Sequence, residues 1–371
     1  MTGILGIIAE YNPLHTGHAL HLERALLESR CQYGIIALSG NFVQRGAPAL
    51  ADKWSRARMA VAAGADLVLE IPVWFVLRSA EGYARAGVSI LAACGASSLS
   101  FGSESGSLAD LGRLASWLEK PGAQAAIRRG LARGIPYAAA IQQAAGACRP
   151  SFASLLQGPN NVLGLEYLRA LAKTAITPHT LKREEGGIRA GQVRRLLGLG
   201  REDEAFAHIP PDAAPILRAA LAGAGLRGAE DFTQGIFYAL TRLGAPGIKA
   251  LPACSEGLEN RVCRALAQSS SLAELLAAIK SKRYPLVRLQ RLVFQALLGF
   301  ESYSYTGPVP YLRVLAVAPR GKELLPRLAR SGVPLLYSAR DIPRLDPAAK
   351  KLLDLDLLAE KVYRLGQGGK P

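Results

Sequence analysis

Through its first half the chain alternates short apolar runs with segments of helical spacing, and few architectures accept that pattern. The run opening at Ile4, then Gly34–Gly40, Asp66–Pro72, Ser97–Phe101 and Ala175–Leu181, read as strands. Between them, apolar residues recur three and four apart, as on a helix face. Near-continuous apolar strands are buried on both faces, and helical crossovers make neighbouring strands parallel. The expected fold class is therefore α/β, a parallel doubly wound sheet. Ligands of such sheets bind outside the carboxyl ends of the strands.

The first such end carries the densest chemistry. Tyr11-Asn12-Pro13 breaks the strand, because Pro13 fixes its own φ and drives Asn12 out of the α region. His15-Thr16-Gly17-His18 follows, and Ala19, Leu22, Ala25 and Leu26 continue at helical spacing. A helix start offers free N–H groups and a positive dipole end, which suit phosphate. Gly17 leaves that backbone bare, and His15 and His18 add imidazole donors. Two other readings stand at this point: surface histidines on a helix start, or a zinc site from His15, His18 and His21. No carboxylate or cysteine joins those three nearby, and zinc leaves Gly17 unexplained.

Other polar stretches fall at strand ends and so on the same rim. Asn41–Pro48 reads as a loop after the second strand, with Asp52 capping a helix that carries Lys53, Arg56 and Arg58. Gly102-Ser103-Glu104 closes the fourth strand. Gly158-Pro159-Asn160-Asn161 opens a helix with an asparagine placed as cap. Lys182-Arg183 precedes Glu184-Glu185-Gly186-Gly187, which reads either as a phosphate contact or as an exposed turn pairing with those glutamates.

Past Gly200 the alternation fades. At 371 residues the length favours two domains, 1–200 around the sheet and 201–371 mainly helical. Arg201–Glu204 reads as a charged linker, and 311–338 as a strand–helix–strand forming a small separate sheet. Lysine and arginine number 45 against 29 acidic residues, a net charge of +16, which suits a polyanion such as RNA. The densest basic run holds Lys280, Lys282, Arg283, Arg288 and Arg291 without an acid, and Tyr284 is offered for stacking. The five cysteines show no metal spacing and read as reduced thiols. With no basic leader and no bilayer-length apolar run, the expected location is cytoplasmic, with no membrane partner.

The histidine turn after a first strand resembles the signature of the HIGH nucleotidyltransferase superfamily, in which the two histidines hold the triphosphate of ATP while its α-phosphorus is attacked. Glu10–Pro13, Ser39–Gly46, Phe101–Glu104, Pro159–Asn161, Ser255–Arg261 and Lys282–Tyr284 together resemble the tRNA(Met) cytidine acetate ligase family over essentially the whole chain. That resemblance implies a Rossmann-like nucleotide-binding domain that activates acetate with ATP as acetyl-adenylate. Acetyl transfer to N4 of the wobble cytidine of elongator tRNA(Met) would follow. It implies catalytic roles for His15 and His18. ATP contacts would fall on Ile7, Ile8, Ala9, Glu10, Tyr11, Asn12, Pro13, Leu14, His15, Thr16, Gly17, His18, Ala19 and Leu20, then on Gly102, Asn160 or its neighbour Asn161, and Arg183. Mg²⁺ is expected with the triphosphate. In the family's second motif a Tyr-His-Asp segment and hydroxyl residues precede a closing arginine. Here Gly186–Arg194 is shorter and lacks them, though Arg194 matches the arginine. A non-catalytic RNA-binding descendant, or a nucleotidyltransferase acting on a small molecule, are the alternative readings.

Overall fold

The apolar runs near the amino terminus pair side by side at the centre of one sheet. In a computed structural model, which describes residues 3–135, 137–183, 186–223, 228–255 and 257–366, nine strands form: β1 (Ile4–Ala9), β2 (Tyr33–Ser39), β3 (Phe42–Val43), β4 (Ala47–Pro48), β5 (Leu67–Ile71), β6 (Ser98–Ser103), β7 (Thr177–Lys182), β8 (Leu312–Val317) and β9 (Leu335–Leu336). Seven of them make one sheet in the order β7-β6-β1-β2-β5-β8-β9. Its pairs are parallel except β5–β8, which is antiparallel. Strand order reverses beside β1, so the crevice between the carboxyl ends of β1 and β6 is where such a sheet takes a ligand.

Successive side chains of a strand face opposite sides, and two cores result. Leu5, Ile7, Ile36, Leu38 and Val68 face one side, joined by Leu14 and Leu22. Ile4, Ile35, Leu67, Leu69 and Leu99 face the other, joined by Tyr83 and Ile90 of the helix Ala80–Ala93. Helix α1 (Thr16–Ser29) follows the histidine turn, and α2 (Lys53–Ala62) is capped by Asp52, whose carboxylate accepts from Trp54 N and Ser55 N as expected.

Three expectations are corrected. The strand–helix–strand at 311–338 is not a separate sheet: β8 and β9 extend the main one, because β5 is buried along its whole length and needs a neighbour on that edge. Arg201–Glu204 is not a linker, since a short helix, Glu202–Phe206, buries Phe206 in the core that holds Leu14 and Leu22. The Asn41–Pro48 loop is a small hairpin, β3–β4, buried because Phe42 packs against Phe232, Phe294 and Tyr363 of later segments. Glu184, Glu185, Glu256 and residues 367–371 lie outside the described residues, and so does the ion pairing considered for Glu184 and Glu185.

Two cations of α2 are also structural. Lys53 is buried with its Nζ 2.8 Å from Glu70, which also receives Arg313 at 3.0 Å. Arg56 donates to the carbonyls of Glu10, Ser39, Gly40 and Ala51, holding the ends of β1 and β2 together. Among the described residues no helix is long and apolar enough to cross a membrane.

Candidate nucleotide site

At the end of β1, Tyr11 adopts a φ of 44° and the chain turns through Asn12 and Pro13 into α1. The turn is pinned by the buried Asn12, whose Oδ1 accepts from Leu50 N at 2.7 Å. His15 is the N-cap of α1, with Nδ1 accepting from Gly17 N at 3.1 Å. Nδ1 of His18 accepts from His15 N at 3.3 Å, and the two rings stack with centroids 3.7 Å apart. Each ring thus uses Nδ1 as acceptor, which leaves its proton on Nε2. Among the described residues, His15 Nε2 is buried without a hydrogen-bond partner. A buried donor is costly unless an acceptor meets it, so this atom marks where an acceptor belongs.

The expectation of free N–H groups at the start of α1 is corrected. Thr16 N donates to the His208 carbonyl at 2.9 Å, and His18 N to the His15 carbonyl at 2.8 Å. With Gly17 N on the His15 ring, the histidine caps and the segment after Glu202–Phe206 consume those donors. Of the N–H groups of this turn, that leaves the imidazole Nε2 atoms. Gly17 has a second role here, since a Cβ would lie 3.1 Å from Cε1 of the His15 ring. Burial, then the charges of Arg183 and His208, pull the His15 pKa down to about 4. Burial also drives His18 well below its ordinary value, followed by the charges of His15, His21 and Arg183. Both rings are neutral at pH 7 and donate without carrying charge. His21 turns aside to Ser100 Oγ, 2.9 Å away.

Within 7–20, Ile7, Ala9, Tyr11, Pro13 and Leu14 are buried beneath the turn, Ile8 and Glu10 are half-buried, and Thr16, Gly17 and Leu20 are exposed beside the half-buried Ala19. Facing the histidines, β6 and β7 supply charge. Arg183 follows β7; its Nη1 reaches Asn160 Oδ1 at 3.2 Å, and Gly102 leaves room for its stem, Cγ lying 3.4 Å from where a Cβ would stand. Glu104 fixes Asn160 in turn, accepting from its Nδ2 at 2.7 Å and its N at 3.2 Å, and from Asn161 N at 2.8 Å. The cap of the helix Pro159–Leu171 is thus Glu104 rather than an asparagine, because the helix starts at Pro159 and puts both asparagines inside its first turn. Asn160 meets Arg183, whereas buried Asn161 turns to Ser105 N. Arg194 lies a turn inside the helix Ala190–Gly198 and donates to the Asn12 carbonyl, closing the far side of the turn.

The basic run divides. Lys280, Lys282 and Arg283 are exposed on a turn whose carbonyls at Ala278, Ile279 and Lys280 accept from Arg261. Arg288 donates to Ala253 O at 2.8 Å and Ser255 Oγ at 2.5 Å. Arg291 reaches Gln44 O at 3.3 Å, and burial, then the charge of Arg288, lowers its pKa to about 10. Tyr284 is buried, with Arg288 5.5 Å from its ring centre, which corrects the expectation of a stacking platform.

The HIGH Nucleotidyl Transferase family profile matches residues 2–370. The tRNA(Met) cytidine acetate ligase of Caldanaerobacter subterraneus subsp. tengcongensis is 34% identical over 384 residues, spanning 97% of this chain and 94% of that protein. Its counterpart from Alkaliphilus metalliredigens is also 34% identical, over 98% of this chain and 94% of that protein. This chain belongs to the tRNA(Met) cytidine acetate ligase family. The crystal structure of Thermotoga maritima TmcAL bound with alpha-thio ATP matches with a TM-score of 0.92 at 30% identity, over 99% of this chain and 95% of that one. In this acetate ligase family member the histidine spacing pointed to the turn, while the Glu104 cap and the His208 carbonyl on Thr16 gave no local signal. Both join segments far apart in the chain.

Proposed function

We propose that this chain activates acetate with ATP and passes the acetyl group to N4 of the wobble cytidine of elongator tRNA(Met). The observation that carries the first step is the buried Nε2 of His15, without a partner among the described residues, on a ring stacked beside His18 at the carboxyl end of β1. A carboxylate oxygen of acetate attacks the α-phosphorus, and the bond to the bridging oxygen breaks to release pyrophosphate. Negative charge builds on the phosphoryl oxygens, where the two preset N–H donors lower the barrier. Arg183 and Arg194 supply cationic charge on either side. Among the described residues no group of three or more His, Cys, Asp or Glu could hold a metal. Mg²⁺ would accompany the triphosphate and supply positive charge to it, in keeping with its preference for few protein ligands. In the second step the cytidine amine attacks the acetyl carbonyl and AMP leaves.

For the RNA, the support is a net charge of +16 and the exposed Lys280, Lys282 and Arg283 held on the Arg261-braced turn. In this division of labour, residues 1–200 make the adenylate and 201–371 bring the tRNA. Acetate-dependent ATP–pyrophosphate exchange is the direct test. His15→Ala and His18→Ala are each expected to slow it by about 10²–10³, the loss of one such donor. Exchange at the wild-type rate in both variants would sink the site.

A further inference from the structure

The β3–β4 hairpin presents one side chain that this mechanism has not used. From Asn41 to Leu50 every residue is buried or half-buried except Arg45, at the tip. The tip is held on every side. Gln44 N donates to Glu10 Oε1 at 2.9 Å, Gln44 Nε2 to Arg78 O at 3.4 Å, and Gln44 O accepts from Arg291. Gly46 N closes the turn on Val43 O at 2.9 Å. Gly46 itself, at φ 74°, lies so close to the backbone of Gln290 and Arg291 that a Cβ would overlap it. A long cation exposed on so rigid a mount has its point of attachment fixed in advance of any ligand.

That position is the nucleotide crevice. Glu10, bonded to the neighbouring Gln44, stands two residues before Asn12, whose carbonyl holds Arg194. Arg45 lies within electrostatic reach of Glu10, Arg183 and Arg194. Arg183 is bonded to Asn160 and Arg194 to Asn12, but Arg45 makes no hydrogen bond or ion pair among the described residues. Exposed Arg45 thus adds its charge to the half-buried Arg183 and Arg194, and like charges brought together repel unless an anion joins them. The stretch Gly186–Arg194 has no hydroxyl side chain with which to hold such an anion.

We propose that Arg45 is a third cation for the phosphate chain, binding the β- and γ-phosphates of ATP and the pyrophosphate that leaves. This rests on the adenylate-forming reading above. Pyrophosphate fits better than an RNA phosphodiester, because each diester carries one charge and this cluster offers three cations to one ligand.

The test is calorimetric titration of the full chain with inorganic pyrophosphate, AMP and tRNA(Met). Arg45→Ala is expected to weaken pyrophosphate about 10- to 100-fold, the loss of one or two charge-assisted hydrogen bonds. AMP and tRNA affinities stay at wild-type values, and Arg45→Lys restores part of the loss. Equal pyrophosphate affinity in wild type and Arg45→Ala overturns the proposal, as does a variant that loses tRNA instead of pyrophosphate. His15→Ala separates the two failures. If it weakens pyrophosphate while Arg45→Ala does not, only the role of Arg45 falls. If the wild type binds no pyrophosphate at all, both readings fall.

Discussion

The ring protons of His15 and His18 sit on Nε2 because a backbone N–H already occupies Nδ1 of each ring. The same burial that keeps these rings neutral makes the fold sensitive to acid. His15 and His21 are each lowered to about 4, first by burial, and burial drives His18 well below its ordinary value. The unfolded chain, with histidines near 6.5, takes up protons first as pH falls. The contribution of these groups is therefore complete above about pH 6.5 and is lost as the pH falls toward 4, at up to about 1.4 kcal/mol per pH unit for each ring. His21 offers a test outside the donor pair, since its ring bonds Ser100 while its charge acts on His18. In His21→Gln, which can keep that bond but cannot titrate, urea midpoints measured from pH 7.5 to 5 are expected to fall less steeply than in the wild type. Parallel profiles would show that His21 is not held neutral.

Among the elements, the helix Pro159–Leu171 depends on a carboxylate outside itself, 56 positions away in sequence from Asn160. Burial works to raise the Glu104 carboxyl, but the donors from Asn160 and Asn161 outweigh it and hold the group below its ordinary value. Glu104→Ala leaves the N–H groups of Asn160 and Asn161 without this acceptor and is expected to cost about 1–2 kcal/mol, as for a lost cap. It also frees the Asn160 side chain that holds Arg183, so KM for ATP is expected to rise in the same variant. A stability loss with unchanged KM would separate the cap from the nucleotide contact. This cap marks where sequence reading stops. The strands, α1 and the histidine turn were legible because their signals are local: apolar period, a proline break, and two histidines three apart. The hairpin read as a loop because the rings that bury its Phe42, those of Phe232, Phe294 and Tyr363, arrive much later in the chain. In the basic run the charges were legible, but Arg288 and Arg291 are committed to protein oxygens that no local pattern reveals.

For the whole molecule the same long-range logic governs whether residues 1–200 can stand alone. The sheet is completed by β8, which pairs with β5 from more than two hundred residues away. Beneath that pairing lies a buried ionic group: Glu70 takes Lys53 and Arg313, and Glu360 of the helix Pro347–Leu365 lies 3.2 Å from Lys53 and 3.6 Å from Arg313. Asp356 on that helix accepts from Val73 N at 2.7 Å and Tyr311 Oη at 2.6 Å. Cutting the chain at 200 strips Arg313 and Glu360 from a buried Lys53–Glu70 pair and bares the edge of β5. It also removes Phe206 and Ile209 from the core under α1, and the His208 carbonyl from Thr16. Burial of a charge pair without its surroundings costs several kcal/mol, comparable to the net stability of a domain. A fragment of residues 1–200 is therefore expected to lack a cooperative thermal transition and to bind no ATP, while the full chain shows both. Scanning calorimetry of the purified fragment decides it. A sharp transition with wild-type nucleotide affinity would mean that the carboxyl-terminal strands decorate the sheet rather than complete it.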